Sequence, residues 1–143
     1  MLQINGRCHC NKISFSATVE PERVMVCHCT DCQRLSGSAF RVVVATLPGS
    51  MRLQGEPRLY IKVAASGTPR AQAFCPNCGT QLYSCAAEDP PFFVVRTGVL
   101  DQATALAPRQ QLWLRSALPW LADLSALPGC QEQQLLGLSA ATR

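Results

Sequence analysis

The chain has 143 residues, 48% of them hydrophobic and 15% charged, with a formal charge of +4. That length favours a single core, and the excess of apolar over charged residues excludes a disordered or solvating chain. No apolar run approaches the ~18 residues of a membrane span, and MLQINGRCHC lacks a positive segment leading into an apolar one, so a soluble, cytoplasmic protein without a membrane partner is expected.

Taken in chain order, residues 13 to 100 read mostly as short strands cut by Gly and Pro. Ile13, Phe15, Ala17 and Val19 alternate with Ser14, Ser16 and Thr18. The runs Phe40 to Thr46, Arg58 to Val63 and Phe92 to Arg96 follow, with Leu59, Ile61 and Val63 sharing one face of the third. Thr30 and Gln33 form a capping-box pattern and Gly37 supplies a stop, which predicts one short helix starting inside the CHCTDC group. Beyond residue 100 the chain turns to Leu, Ala and Gln, divided by Pro119 and Pro128-Gly129 into pieces suited to small helices or to packing on the sheet. The expected architecture is a small antiparallel, mainly β domain over residues 1–125 with a short irregular or helical tail over 126–143.

Nine cysteines are too many, and odd in number, for a disulfide framework in a reducing compartment. Seven are grouped: Cys8 and Cys10, then Cys27, Cys29 and Cys32, then Cys75 and Cys78. FCPNCGT has the form of a zinc knuckle, in which two thiolates converge on one ion and Gly79 lets the backbone close beneath them. A redox C-x-x-C is the other reading, though the βαβ setting of such motifs is missing. A knuckle needs two more ligands, and Cys8-His9-Cys10 is the simplest source, giving a closed structural set of Cys8, Cys10, Cys75 and Cys78. Cys27, Cys29 and Cys32 offer only three thiolates, which leaves a coordination position open for chemistry. His28, Cys85 or a partner chain closing this set, a reactive thiol cluster, and an iron–sulfur cluster are the alternatives. His9 and His28 alternate with ligands in an extended stretch and point away from them. Cys85 and Cys130 read as buried small hydrophobes, Trp113 and Trp120 as packing residues, and Asp31 as a first-turn helix carboxylate.

Eleven arginines and two lysines set against nine acids raise the question of nucleic acid. They are scattered, without an aromatic ladder for bases, so no nucleic-acid partner is expected. Metal balances them: four thiolates on one divalent ion carry −2 and three on another −1, which brings +4 to about +1.

GRCHC, CHCTDCQRLSGSAF, FCPNCGTQL, VVRTGVLD and LPW together resemble the glutathione-dependent formaldehyde-activating enzyme family, which also includes centromere protein V. The resemblance covers about residues 1 to 125. It implies a mainly β, tent-like fold with a structural zinc at Cys8, Cys10, Cys75 and Cys78 and a second zinc at Cys27, Cys29 and Cys32. The family pattern often has His where this chain has Gln111. The implied activity is carbon–sulfur bond chemistry, forming S-hydroxymethylglutathione from formaldehyde and glutathione, with Cys27, Cys29 and Cys32 as the catalytic metal ligands. Zinc there would either hold the glutathione sulfur as thiolate or polarise the aldehyde oxygen. Glutathione carries two carboxylates, for which Arg34 and Arg41, flanking the second cysteine group, are candidate donors. The rival readings are a zinc protein that binds a thiol or a protein partner without turnover, and a chromatin-type binding module, for which the chain lacks a basic extension.

Overall fold

The computed structural model describes residues 1–132. Ten strands and one α-helix build it: β1 (Leu2–Arg7), β2 (Ser14–Val19), β3 (Met25–Cys27), α1 (Thr30–Ser36), β4 (Arg41–Ala45), β5 (Arg52–Gln54), β6 (Arg58–Val63), β7 (Pro69–Phe74), β8 (Gln81–Ala86), β9 (Val94–Arg96) and β10 (Gln110–Leu112). They form a three-stranded sheet, β1-β2-β5, and a seven-stranded sheet, β10-β3-β4-β9-β8-β7-β6. The mainly β expectation holds, with no closed barrel. One pair departs from the antiparallel rule: β10 runs parallel to β3, pairing Gln111 with Val26.

Alternation along β2 sends Phe15, Ala17 and Val19 inward, as its pattern predicts. These residues and Ile4 of β1 meet Val44, Leu82 and Val95 of the larger sheet to make the core. Isolated bridges from Gly6 to Leu100 and from Val19 to Thr46 stitch the two sheets together. Cys85 lies in this core, as expected.

Other expectations need correction. Leu59, Ile61 and Val63 do share one face of β6, but β6 is an edge strand and all three are exposed. Period-2 alternation reports two different faces without saying that either is covered. Trp113 and Trp120 are 45% and 50% exposed rather than packed in the core, and Cys130 is exposed rather than buried. The pieces after residue 113 form 3-10 turns at Leu114–Ser116 and Pro119–Ala126, with Pro119 in the first turn, where its missing N–H costs nothing. The remainder of the expected tail, residues 133–143, lies outside the described residues. Among the described residues, no helix is long and apolar enough to cross a membrane.

The helix starts where predicted, but Thr30 and Gln33 do not cap it. Cys29 is the N-cap, its Sγ accepting the Cys32 N–H at 3.3 Å, so Thr30 becomes the first helical residue. Gly37 ends the helix at φ 63°, the left-handed conformation the stop requires.

Candidate metal centres

Two hairpin turns, one from each sheet, carry the first cysteine group. Cys8 and Cys10 do not precede the first strand, as the sequence suggests, but occupy the turn between β1 and β2. Cys75 and Cys78 occupy the turn between β7 and β8. Gly79 at φ 74° closes this knuckle and donates its N–H to the Cys75 carbonyl at 2.9 Å. Lys12 Nζ reaches Asn77 Oδ1 at 3.0 Å and ties the two turns together.

The four sulfurs converge, with Cys8 and Cys10 Sγ 3.5 Å apart and Cys10 and Cys75 Sγ 3.7 Å apart. A tetrahedral ion with bonds of about 2.3 Å requires sulfurs about 3.8 Å apart, so the donor set fits zinc without rearrangement. All nine cysteines are free thiols. The surroundings favour thiolates: the Ile13 N–H points at Cys8 Sγ, and the Thr80 hydroxyl lies 3.2 Å from Cys78 Sγ and pulls that thiol down to about 5. Burial pushes the fully enclosed Cys75 the other way, to about 11, which is the cost an ion at the centre would offset.

The second group is built differently. Cys27 ends β3, Cys29 caps α1 and Cys32 sits in its first turn, and the three ligand atoms lie within 4.8 Å of one another. No fourth cysteine, histidine or carboxylate among the described residues joins them. A hydrogen bond between Cys27 and Cys32 lowers the Cys27 thiol below its usual value and raises that of Cys32. His28 does not join the sulfurs; it is buried, and its Nε2 donates to Gln111 Oε1 at 2.8 Å. The His28 N–H also donates to the Leu112 carbonyl, so β10 braces the cysteine loop from behind. Gln111 therefore has a defined polar role, orienting His28 across the β10–β3 pairing.

Gln33, freed from capping, donates both amide hydrogens, to the carbonyls of His28 and Ser116, each at 2.8 Å. It ties the cysteine loop to the turn at residues 114–116. Gln33→Ala would leave two half-buried carbonyls unpaired, and a loss of about 1–3 kcal/mol is expected in denaturant unfolding.

Cys27 and Cys29 open onto a groove of about 560 Å³ whose walls include Lys62, Arg70, Trp113 and Arg115. Its size lies within the usual range for small-molecule sites, roughly 300–1,000 Å³. Lys62 of β6 stands directly opposite Arg70 of β7. Like charges in that register are unfavourable in an empty sheet. Asp31 pairs with Lys62 and so has a partner beyond its place in the helix first turn. Trp113 adopts a left-handed backbone at φ 61°, a strained position for an aromatic residue, and the Arg115 guanidinium stacks on its ring at 4.7 Å. None of these four groove residues was singled out as functional from sequence, because β6, β7 and the 113–116 turn converge only through sheet pairing.

Of the two arginines predicted to bind substrate, Arg34 is exposed in the last turn of α1 and does not line the groove. Arg41 is buried behind the cysteines, where Cys32 lies against it, and donates to Gln72 Oε1 at 3.1 Å and to Gln81 Oε1. Arg96, also buried, donates to the same Gln72 oxygen at 2.9 Å.

Fold and site together define a small two-sheet β protein with one four-cysteine centre, anchored by the buried Cys8 and Cys75, and one half-buried three-cysteine centre facing a cationic groove. The family model described as glutathione-dependent formaldehyde-activating enzyme matches residues 3–116, and the chain belongs to that family. An uncharacterized lyase of Schizosaccharomyces pombe is 30% identical over 95 residues, a match covering 66% of each chain, so this chain spans just under two thirds of that relative. The crystal structure of a Rhodobacter sphaeroides protein shares the fold at a TM-score of 0.58 and 18% identity, covering 76% of this chain and 99% of that one.

Proposed function

We propose that the protein is a zinc-dependent carbon–sulfur lyase-type enzyme that interconverts formaldehyde plus glutathione with S-hydroxymethylglutathione. The observation that carries this reading is the opening of a three-sulfur centre onto a groove walled by Lys62, Arg70 and Arg115. Family membership supports glutathione as the thiol.

In this reading Cys8, Cys10, Cys75 and Cys78 hold a structural zinc, and Cys27, Cys29 and Cys32 hold a second. Zinc bound to three thiolates supplies an open position that favours the thiolate form of a substrate thiol. The chain does the rest. Lys62, Arg70 and Arg115 bind the tripeptide carboxylates and offset their own mutual repulsion on doing so. Trp113, held rigid by its backbone and by Arg115, positions the peptide body. Arg41 acts from behind the sulfurs as a counter-charge, and Arg34 is a more distant donor outside the groove. In the forward direction the sulfur attacks the aldehyde carbon, the S–C bond forms as the C=O π bond opens onto oxygen, and the thiol proton ends on that oxygen.

Exchange spectroscopy of formaldehyde and glutathione with the zinc-loaded protein tests the reading. Accelerated exchange is expected, and Arg115→Glu is expected to raise the KM for glutathione about tenfold or more with a smaller change in kcat, since the contact is made in ground and transition states alike. Two equivalents of bound zinc without accelerated exchange would exclude turnover and leave only thiol binding.

A further inference from the structure

Arg41 and Arg96 are 5% and 8% exposed, and both Nε groups are buried without a hydrogen-bond partner. The two guanidinium groups share a single neutral acceptor, Gln72 Oε1. The three ion pairs among the described residues involve neither arginine. Two buried cations side by side without a carboxylate are costly: burial first, and then the neighbouring Arg41 charge, pulls the Arg96 guanidinium down to about 9.

The cysteine cluster answers only part of that charge. Three thiolates around a divalent ion carry −1 and the two arginines +2, so one positive charge stays unbalanced. Both arginines also line a cavity of about 490 Å³ that shares no lining residue with the groove at Cys27 and Cys29. Leu35, Phe40 and Val42 make its apolar wall, and Ser36 and Gly98 lie at its polar side. The four hydrogen bonds the arginines make use four of their ten N–H donors.

We propose that this cavity is a separate binding site for a monoanionic carboxylate with a short apolar body, held by the Arg41–Arg96 pair. A carboxylate matches the planar guanidinium fork, and its single charge closes the balance that the metal-loaded cluster leaves open. The inference rests on the second cysteine group holding a divalent ion, but not on the protein having turnover.

The test follows the Arg Nε–H signals by NMR in the zinc-loaded full chain, with acetate replacing chloride at constant ionic strength. Saturable shifts of the Arg41 and Arg96 signals in the millimolar range are expected. Arg96→Gln should weaken acetate binding about tenfold or more, while Arg96→Lys, which keeps the charge and loses the fork, should fall between. If Arg96→Gln fails to fold, the unmodified protein decides alone: signals that acetate leaves in place, or moves no more than chloride does, overturn the proposal. S-methylglutathione, which cannot offer a free thiol, separates the sources. Displacement of acetate identifies a carboxylate of the tripeptide as the occupant, and co-binding identifies a free small acid; either result keeps the site. The acetate titration leaves the groove at Cys27 and Cys29 unoccupied, so its failure does not touch the exchange experiment above.

Discussion

Cys75→Ser is expected to remove the cooperative thermal transition of the zinc-replete chain, or to lower its midpoint by at least about 8–16 °C, with loss of one equivalent of zinc. The side chain is 1% exposed and belongs to the hydrophobic core. Its sulfur is one of four that join a turn of the three-stranded sheet to a turn of the seven-stranded one. Structural zinc contributes apparent binding free energies of about 10–16 kcal/mol, comparable to the whole net stability of a domain, so losing one of the four donors and, with it, the ion costs at least about 4 kcal/mol. At roughly 2–4 °C per kcal/mol for a chain near this size, that gives the stated shift. Calorimetry and metal analysis of the same sample provide the measurement. Cys130→Ser is the control; an exposed thiol outside both groups should leave melt and zinc content unchanged. A Cys75→Ser protein melting like the unmodified chain with both ions retained would contradict the staple.

Motif spacing alone grouped the seven cysteines as the structure does, because thiol pairs at C-x-C and C-x-x-C separations are local and their geometry follows from turn chemistry. The inward face of β2 was legible for the same reason. What spacing left out is what pairing decides. Alternation marks the first strand only from Ile13, which leaves the C-x-C group as a lead-in to it, whereas β1 precedes that group and the group is the hairpin turn itself. The capping box was misassigned because a sulfur does the capping one position earlier, and nothing in propensity scales prepares for Cys29 in that role. Gln111 meets His28 only through the parallel β10–β3 register, eighty-three positions apart in the chain. Lys62 and Arg70 become neighbours only through the β6–β7 register, and Arg115 joins their groove through the turn that Gln33 anchors. Arg41 was found as a candidate by its closeness to the cysteines, yet its burial makes it a counter-charge in a network with Arg96 rather than an exposed arm.

Cys29→Ser should produce the opposite pattern to Cys75→Ser. Here the fold is expected to survive, with a melting midpoint within a few degrees of the unmodified protein, while the second metal and thiol–aldehyde exchange are lost. The three sulfurs are half-buried rather than enclosed, and they lie at the end of β3 and the start of α1, not between the sheets. The one structural duty of Cys29 is to accept the Cys32 N–H at the helix start. Serine is among the preferred residues for that task, so the substitution removes a soft metal ligand while keeping the cap. Two thiolates and a hydroxyl make a much poorer zinc site, and zinc content should fall by one equivalent per chain. X-ray absorption then separates the roles: glutathione should raise the sulfur count at the second metal of the unmodified protein from three to four and leave the variant's spectrum unchanged. Exchange catalysis should fall at least about a hundredfold, in line with removal of a metal from a site that depends on it. Equal loss of folding in Cys29→Ser and Cys75→Ser, or an unchanged sulfur count on adding glutathione to the unmodified protein, would remove the distinction between a sealed centre and an open one.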